Sequence, residues 1–179
     1  VLWYTCAVVR AAWLVVLCAW LAAGCGYGFV RYGGALGDVR SVAVETLQND
    51  SHDPGVEFVV GDALRREFLR RRGVRLIENP AEADLVLSGR VLPIRSRARS
   101  LSSVGLALEY ELTLSLALDA RRADGSELEF DRRALRETER YLASADVEAL
   151  NKNRQEALRQ AAALLAGRVY DALYETLVR

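Results

Sequence analysis

The sequence predicts a two-layer α/β (α+β) sandwich, with two helices packed on one face of a mixed, largely antiparallel sheet. Three observations carry this. Leu106, Leu108, Tyr110, Leu112, Leu114, Leu116 and Leu118 alternate with Ala107, Glu109, Glu111, Thr113, Ser115, Ala117 and Asp119. A period of two draws no stripe on a helix, whatever the intrinsic helix preference of leucine and glutamate, so this is a strand with one buried face. Two other stretches, Val56 to Leu69 and Leu150 to Leu177, repeat their apolar residues at threes and fours, the spacing of amphipathic helices. Asp124-Gly125 lies between alternating segments and marks a tight hairpin.

The chain opens with a leader. Arg10 precedes an apolar run from Ala11 to Ala23 of about 13 residues, signal-peptide length and short of the ~20 that span a bilayer. The run ends in Leu21-Ala22-Ala23-Gly24-Cys25, small residues abutting a cysteine, which resembles a bacterial lipobox. Residues 1–24 are therefore expected to be a removed signal peptide, with Cys25 the first mature residue, carrying diacylglycerol on sulfur and an acyl group such as palmitate on nitrogen. Gly26 in place of an aspartate points to the outer membrane as destination. Residues 25–37 form a glycine-rich tether with Tyr27, Phe29 and Tyr32; as a coil of about 12 residues it reaches ~20 Å r.m.s.. Residues 38–179 are expected to fold as one α/β sandwich domain.

Within that domain Val39–Leu47 alternates as a strand and Gln48 to Asp53 reads as loop. Asp53 followed by Pro54 marks a helix start, the carboxylate capping free N–H groups, and the helix runs to about Arg72 with Val56, Val59, Val60, Ala63, Leu64, Phe68 and Leu69 inward. A short strand at Val74–Ile77 precedes the Asn79-Pro80 turn, and a longer one spans Leu85–Arg99. The longer one has a phase conflict. Leu85, Leu87 and Val91 share a face that would carry Arg95, Arg97 and Arg99 into the core, which three unpaired guanidiniums forbid. A bulge between Gly89 and Pro93 resolves it, turning Leu92, Ile94 and Ala98 inward and the three arginines outward. After the hairpin, Leu128 and Phe130 begin a return strand through about Tyr141, and Asp146 to Val178 is a long helix.

Composition narrows the function. Basic and acidic side chains balance at 24 each, so no global field favours nucleic acid. Of the three cysteines, Cys6 and Cys18 lie in the leader, so the exported part forms no internal disulfide and rests on its core. The one histidine, His52, sits between Ser51 and Asp53, but adjacency does not build a relay, and no Cys/His cluster or phosphate loop occurs. No catalytic residue, metal site or cofactor is expected, and the protein is read as a non-enzyme.

With the elements in order, the lipobox, Cys25-Gly26-Tyr27-Gly28-Phe29, a strand, the helix with Leu64-Arg65-Arg66-Glu67-Phe68-Leu69, a meander and a long terminal helix resemble the lipopolysaccharide-assembly lipoprotein family, LptE. The resemblance covers essentially the whole chain. It implies a sandwich of two helices on four strands, anchored on the periplasmic side of the outer membrane. Such a domain plugs the barrel of the translocon protein LptD and binds lipopolysaccharide for delivery to the outer leaflet. It also implies basic contacts at the turn between the second and third main strands and at the start of the final helix, where Arg99 and Lys152 stand here. Independently of the family, Arg95, Arg97 and Arg99 offer planar donors suited to phosphate or carboxylate, on lipid A or on a barrel wall. A charged sheet edge that resists aggregation is the other reading of the same residues. The rival function is a lipoprotein binding module of another envelope system, handling peptidoglycan or an exported polysaccharide.

Overall fold

The computed structural model describes residues 36–71, 73–129 and 135–178. The leader, Cys25, most of the tether, Arg72 and Phe130 lie outside the described residues. The elements are β1 (Ser41–Val44), β2 (Gln48–Asn49), α1 (Val56–Arg71), β3 (Arg75–Leu76), β4 (Leu85–Val91), β5 (Arg95–Leu101), β6 (Ala107–Arg122), β7 (Glu127–Leu128), β8 (Arg136–Leu142) and α2 (Val147–Val178).

Both helices pack against one mixed sheet, as expected, but the sheet holds eight strands rather than four. The excess comes largely from breaks. The 16-residue β6 is the axis: one edge pairs with β4 and then β5, the other with β7 and then β8. The expected strand Leu85–Arg99 is split at Leu92–Ile94, where Pro93 supplies no ladder donor. Val39–Leu47 is likewise shorter than expected, and Gln48–Asn49, expected as loop, pairs in parallel with Arg90–Val91. β3 adds a row beside β1, also parallel.

The split at Leu92–Ile94 is the inferred bulge. Val91 faces Leu116 and Arg95 faces Thr113, so four steps along one strand are matched by three along the other. The odd residues of β4, Leu85, Leu87 and Val91, therefore share a face with the even residues of β6, while in β5 the odd residues take the opposite face.

The core lies between the even face of β6 and the helices. Leu112, Leu114, Leu116, Leu118 and Ala120 are buried against Leu64 and Phe68 of α1 and Leu158, Leu165, Val169 and Leu173 of α2. Phe68 and Tyr170 close the helix–helix seam with ring centroids 5.5 Å apart. Asp146 caps α2, its Oδ1 accepting the Glu148 and Ala149 N–H groups at 2.8 and 3.3 Å. Asp53 does something else. Its carboxylate accepts a two-pronged contact from Arg154 Nη1 and Nη2 at 2.7 and 2.8 Å, tying the approach to α1 onto α2 across 101 residues of sequence. The first free N–H groups of α1 turn back instead to the Gly55 carbonyl.

Five inward assignments fail. Leu69, Ala98 and Leu164 are exposed, and Leu106, just before β6, and Leu108 within it are 67% and 51% exposed because the sheet outruns the helices at that end. Conversely, Glu67, expected outside, is buried. Burial alone would raise its carboxyl, but hydrogen bonds from Arg71 and Arg70 outweigh that and hold it below its ordinary value. Leu114→Ala is expected to cost about 2–5 kcal/mol in urea unfolding and Thr113→Ala about 1 or less, since Leu114 is fully buried and Thr113 is half-buried on the opposite face with its hydroxyl 3.3 Å from that of Thr138. Equal losses would place the helices on the wrong face.

Candidate functional site: an arginine face on the uncovered side of the sheet

The face of β5, β6 and β8 turned away from the helices is laid out in cross-strand rungs. Arg97 of β5, Glu111 of β6 and Arg140 of β8 form one, and Arg95, Thr113 and Thr138 form the next. A further step along the same face sets Arg136 opposite Ser115. Period-two spacing and the bulge put all of these side chains on one side.

Glu111 is the pivot. Its Oε1 accepts from Arg97 Nη2 and Nε at 2.7 and 3.1 Å, and its Oε2 from Arg99 Nη1 at 3.2 Å. The Glu111 side chain is 10% exposed, while those of Arg97 and Arg99 are 80% and 45% exposed. The carboxylate thus lies beneath the guanidinium heads, with donors left over on each head for an incoming anion. The Arg97 hydrogen bond first, then the charges of Arg97, Arg99 and Arg140, hold the Glu111 carboxyl below its ordinary value against the opposing effect of burial. A depressed acid stabilises the fold above its unfolded value and loses that contribution as pH falls through the folded one. The stability gap between the parent and Glu111→Gln should accordingly be widest above the ordinary value of 4.5 and close on acidification, followed as urea midpoints against pH. A gap independent of pH would show that Glu111 acts by shape alone.

The structure brings Arg95, Arg97 and Arg99 onto one exposed face. Arg99 lies in β5, where the register slips before Ser100, and not in the turn that follows. Lys152 is exposed on α2, in the helix layer, so the sheet separates it from the three arginines. Sequence reading missed Arg140, Arg136 and the role of Glu111. Glu111 was visible as an outward residue of β6, but its register with Arg97 exists only once the strands pair. In the loop of His52, the Ser51 hydroxyl donates to Asn49 Oδ1 at 2.6 Å and the Asp53 carboxylate is taken by Arg154, so the three neighbours form no relay. Among the described residues no cluster of histidine, cysteine and acidic side chains suits a metal, and no helix is long and apolar enough to cross a membrane.

Two helices on one face of a mixed sheet, with an exposed arginine row on the other, define a small α+β domain. Residues 39–173 match the family model described as "LptE: Lipopolysaccharide-assembly". The chain belongs to the LptE lipopolysaccharide-assembly family. Two solved structures share the fold. Lipoprotein B from Nitrosomonas europaea is 16% identical, with 86% of this chain and 91% of that chain covered at a TM-score of 0.56. The rare lipoprotein B from Shewanella oneidensis is 17% identical, with 75% and 97% covered at a TM-score of 0.50. No curated protein matches the chain.

Proposed function

We propose that this family member is an outer-membrane lipoprotein of the lipopolysaccharide transport machinery that plugs an LptD-like β-barrel and binds lipopolysaccharide for delivery to the outer leaflet. The observation that carries the reading is the exposed row of Arg95, Arg97 and Arg99, backed by Glu111 and flanked by Arg140. Guanidinium forks dock phosphate or carboxylate in two-pronged geometry, and those are the charged groups of lipid A and of a polar barrel wall. Lys152 supplies a second basic contact from the helix layer. The protein is a carrier and plug with no catalytic step.

Anchoring is through Cys25 after removal of residues 1–24, on the periplasmic side. Since Trp3, Trp13 and Trp20 all precede the cleavage point, the mature protein is expected to emit as a tyrosine-only protein and to carry covalent acyl chains. Cys25→Ala should accumulate as precursor, and mature-sized protein without acyl chains would remove the anchor from the reading. The function itself is tested by affinity isolation of the detergent-solubilised lipoprotein. A large β-barrel and lipopolysaccharide should come with it, and recovery with peptidoglycan or a polysaccharide-export complex instead would replace this function with the rival one.

A further inference from the structure

We propose that the uncovered end of the β5–β6 hairpin is a seat for acyl chains, so that the arginine face reads the phosphorylated head of a lipid whose chains lie on the neighbouring apolar tip. This rests on the lipopolysaccharide reading above and adds to it a second contact surface.

The exposed apolar side chains concentrate at one end. Leu101, Val104, Leu106, Leu108, Leu142 and Val147 are between 51% and 77% exposed. Pairing holds them together: Leu101 faces Ala107, Leu142 faces Glu109, and the Ala143 N–H donates to the Leu108 carbonyl at 3.0 Å, four residues before Val147. Tyr110 and Tyr141 stack with centroids 5.3 Å apart and mark where the covered core stops. Beyond them Leu106 and Leu108 continue the core face with no described residue over them. On the arginine side, Leu101 and Leu142 follow the guanidinium rung directly, and Leu101 is about 13 Å along the strand from Arg97. The apolar side chains wrap the end of the hairpin, Leu101 and Leu142 on the arginine face with Glu109 opposite Leu142, and Leu106 and Leu108 on the core face, so that chains folded over the tip would lie beside a head held on the forks.

Charge disfavours a second copy as occupant. A second copy meeting this surface through a two-fold contact would set arginine row against arginine row.

The test uses the full-length lipoprotein in detergent, with any barrel that co-isolates, and a tip variant, Leu101→Ser/Leu106→Ser/Leu108→Ser, whose fold is checked by circular dichroism and urea midpoint. The probes are hexa-acylated lipid A and its fully deacylated bisphosphorylated disaccharide. The parent is expected to prefer lipid A by about tenfold or more, and the tip variant to lose that preference while keeping the parent's affinity for the disaccharide. A variant that keeps the preference overturns the acyl seat while leaving the lipopolysaccharide reading in place. A parent that binds neither probe defeats that reading itself. If the variant instead loses flotation with phosphatidylglycerol vesicles, sheds the barrel, or falls from dimer to monomer with its lipid A preference intact, the tip is a bilayer, protein or self-contact and the proposal fails. Should the triple variant not fold, Val104→Ser alone, at the turn and 77% exposed, carries the same comparison.

Discussion

Gly89→Ala is expected to destabilise the protein by about 3 kcal/mol or more, among the largest effects of any single methyl group here. Gly89 adopts a φ of +151° within β4, opposite Leu118. A Cβ at that point would stand 2.1 Å from the Ala117 carbonyl oxygen and 2.9 Å from the Leu118 Cα, backbone atoms of the axial strand that cannot swing aside. Accommodation means prising β4 from β6, just before the bulge that turns Arg95, Arg97 and Arg99 outward. The control is Gly125→Ala in the β6–β7 turn, where φ is +84° but no atom lies within 4 Å, and where conformational strain alone costs about 1 kcal/mol. Urea midpoints compare the two, and equal shifts would mean that β4 and β6 do not touch at Gly89.

The second large effect is on binding. Arg95→Gln/Arg97→Gln/Arg99→Gln is expected to weaken lipid A binding about 100-fold near physiological salt, from three exposed charge contacts worth somewhat under 1 kcal/mol each. Glutamine suits this better than glutamate. New carboxylates at Arg97 and Arg99 would face Glu111 at the positions of its two ion-pair partners, mixing a folding defect with the binding loss. Binding by the parent should weaken as salt rises, because exposed charges are screened within about 8 Å at physiological ionic strength. Unchanged affinity in a folded triple variant would reduce the arginine row to a solvated sheet surface.

How far the molecule was legible from its residues depended on the range of the interaction. The period of β6, the start of α2 near Asp146 and the bulge between β4 and β5 follow from side chains within one or two turns or rungs of each other. The bulge was deduced from what the core refuses, since three arginines in phase with Leu85 leave no other solution. What failed depended on distant partners. Leu106 and Leu108 have the right period and face, yet nothing local says that α2 starts too late to cover them. Asp53 has the sequence of a cap, but Arg154 outcompetes the backbone for its carboxylate. Glu67 looks like a surface acid until Arg70 and Arg71 close over it. At the site, the arginine row was readable from one strand, whereas Glu111 and Arg140 join it only across two further registers.

The tie between Asp53 and Arg154 has a consequence for the order in which the chain folds. Ribosomes deliver the N-terminus first, but the side chains of α2 that cover Leu112 to Leu118 are the last to arrive. Until then β1, α1 and β3 form a fragment with an open core, and the approach to α1 lacks its clasp. Closing a loop of 101 residues has an entropic cost that only late contacts repay, so folding waits for the C-terminus. A chain built this way has no closed core until α2 is complete, so deleting the last turns of α2 should leave it unfolded, seen as loss of the cooperative urea transition.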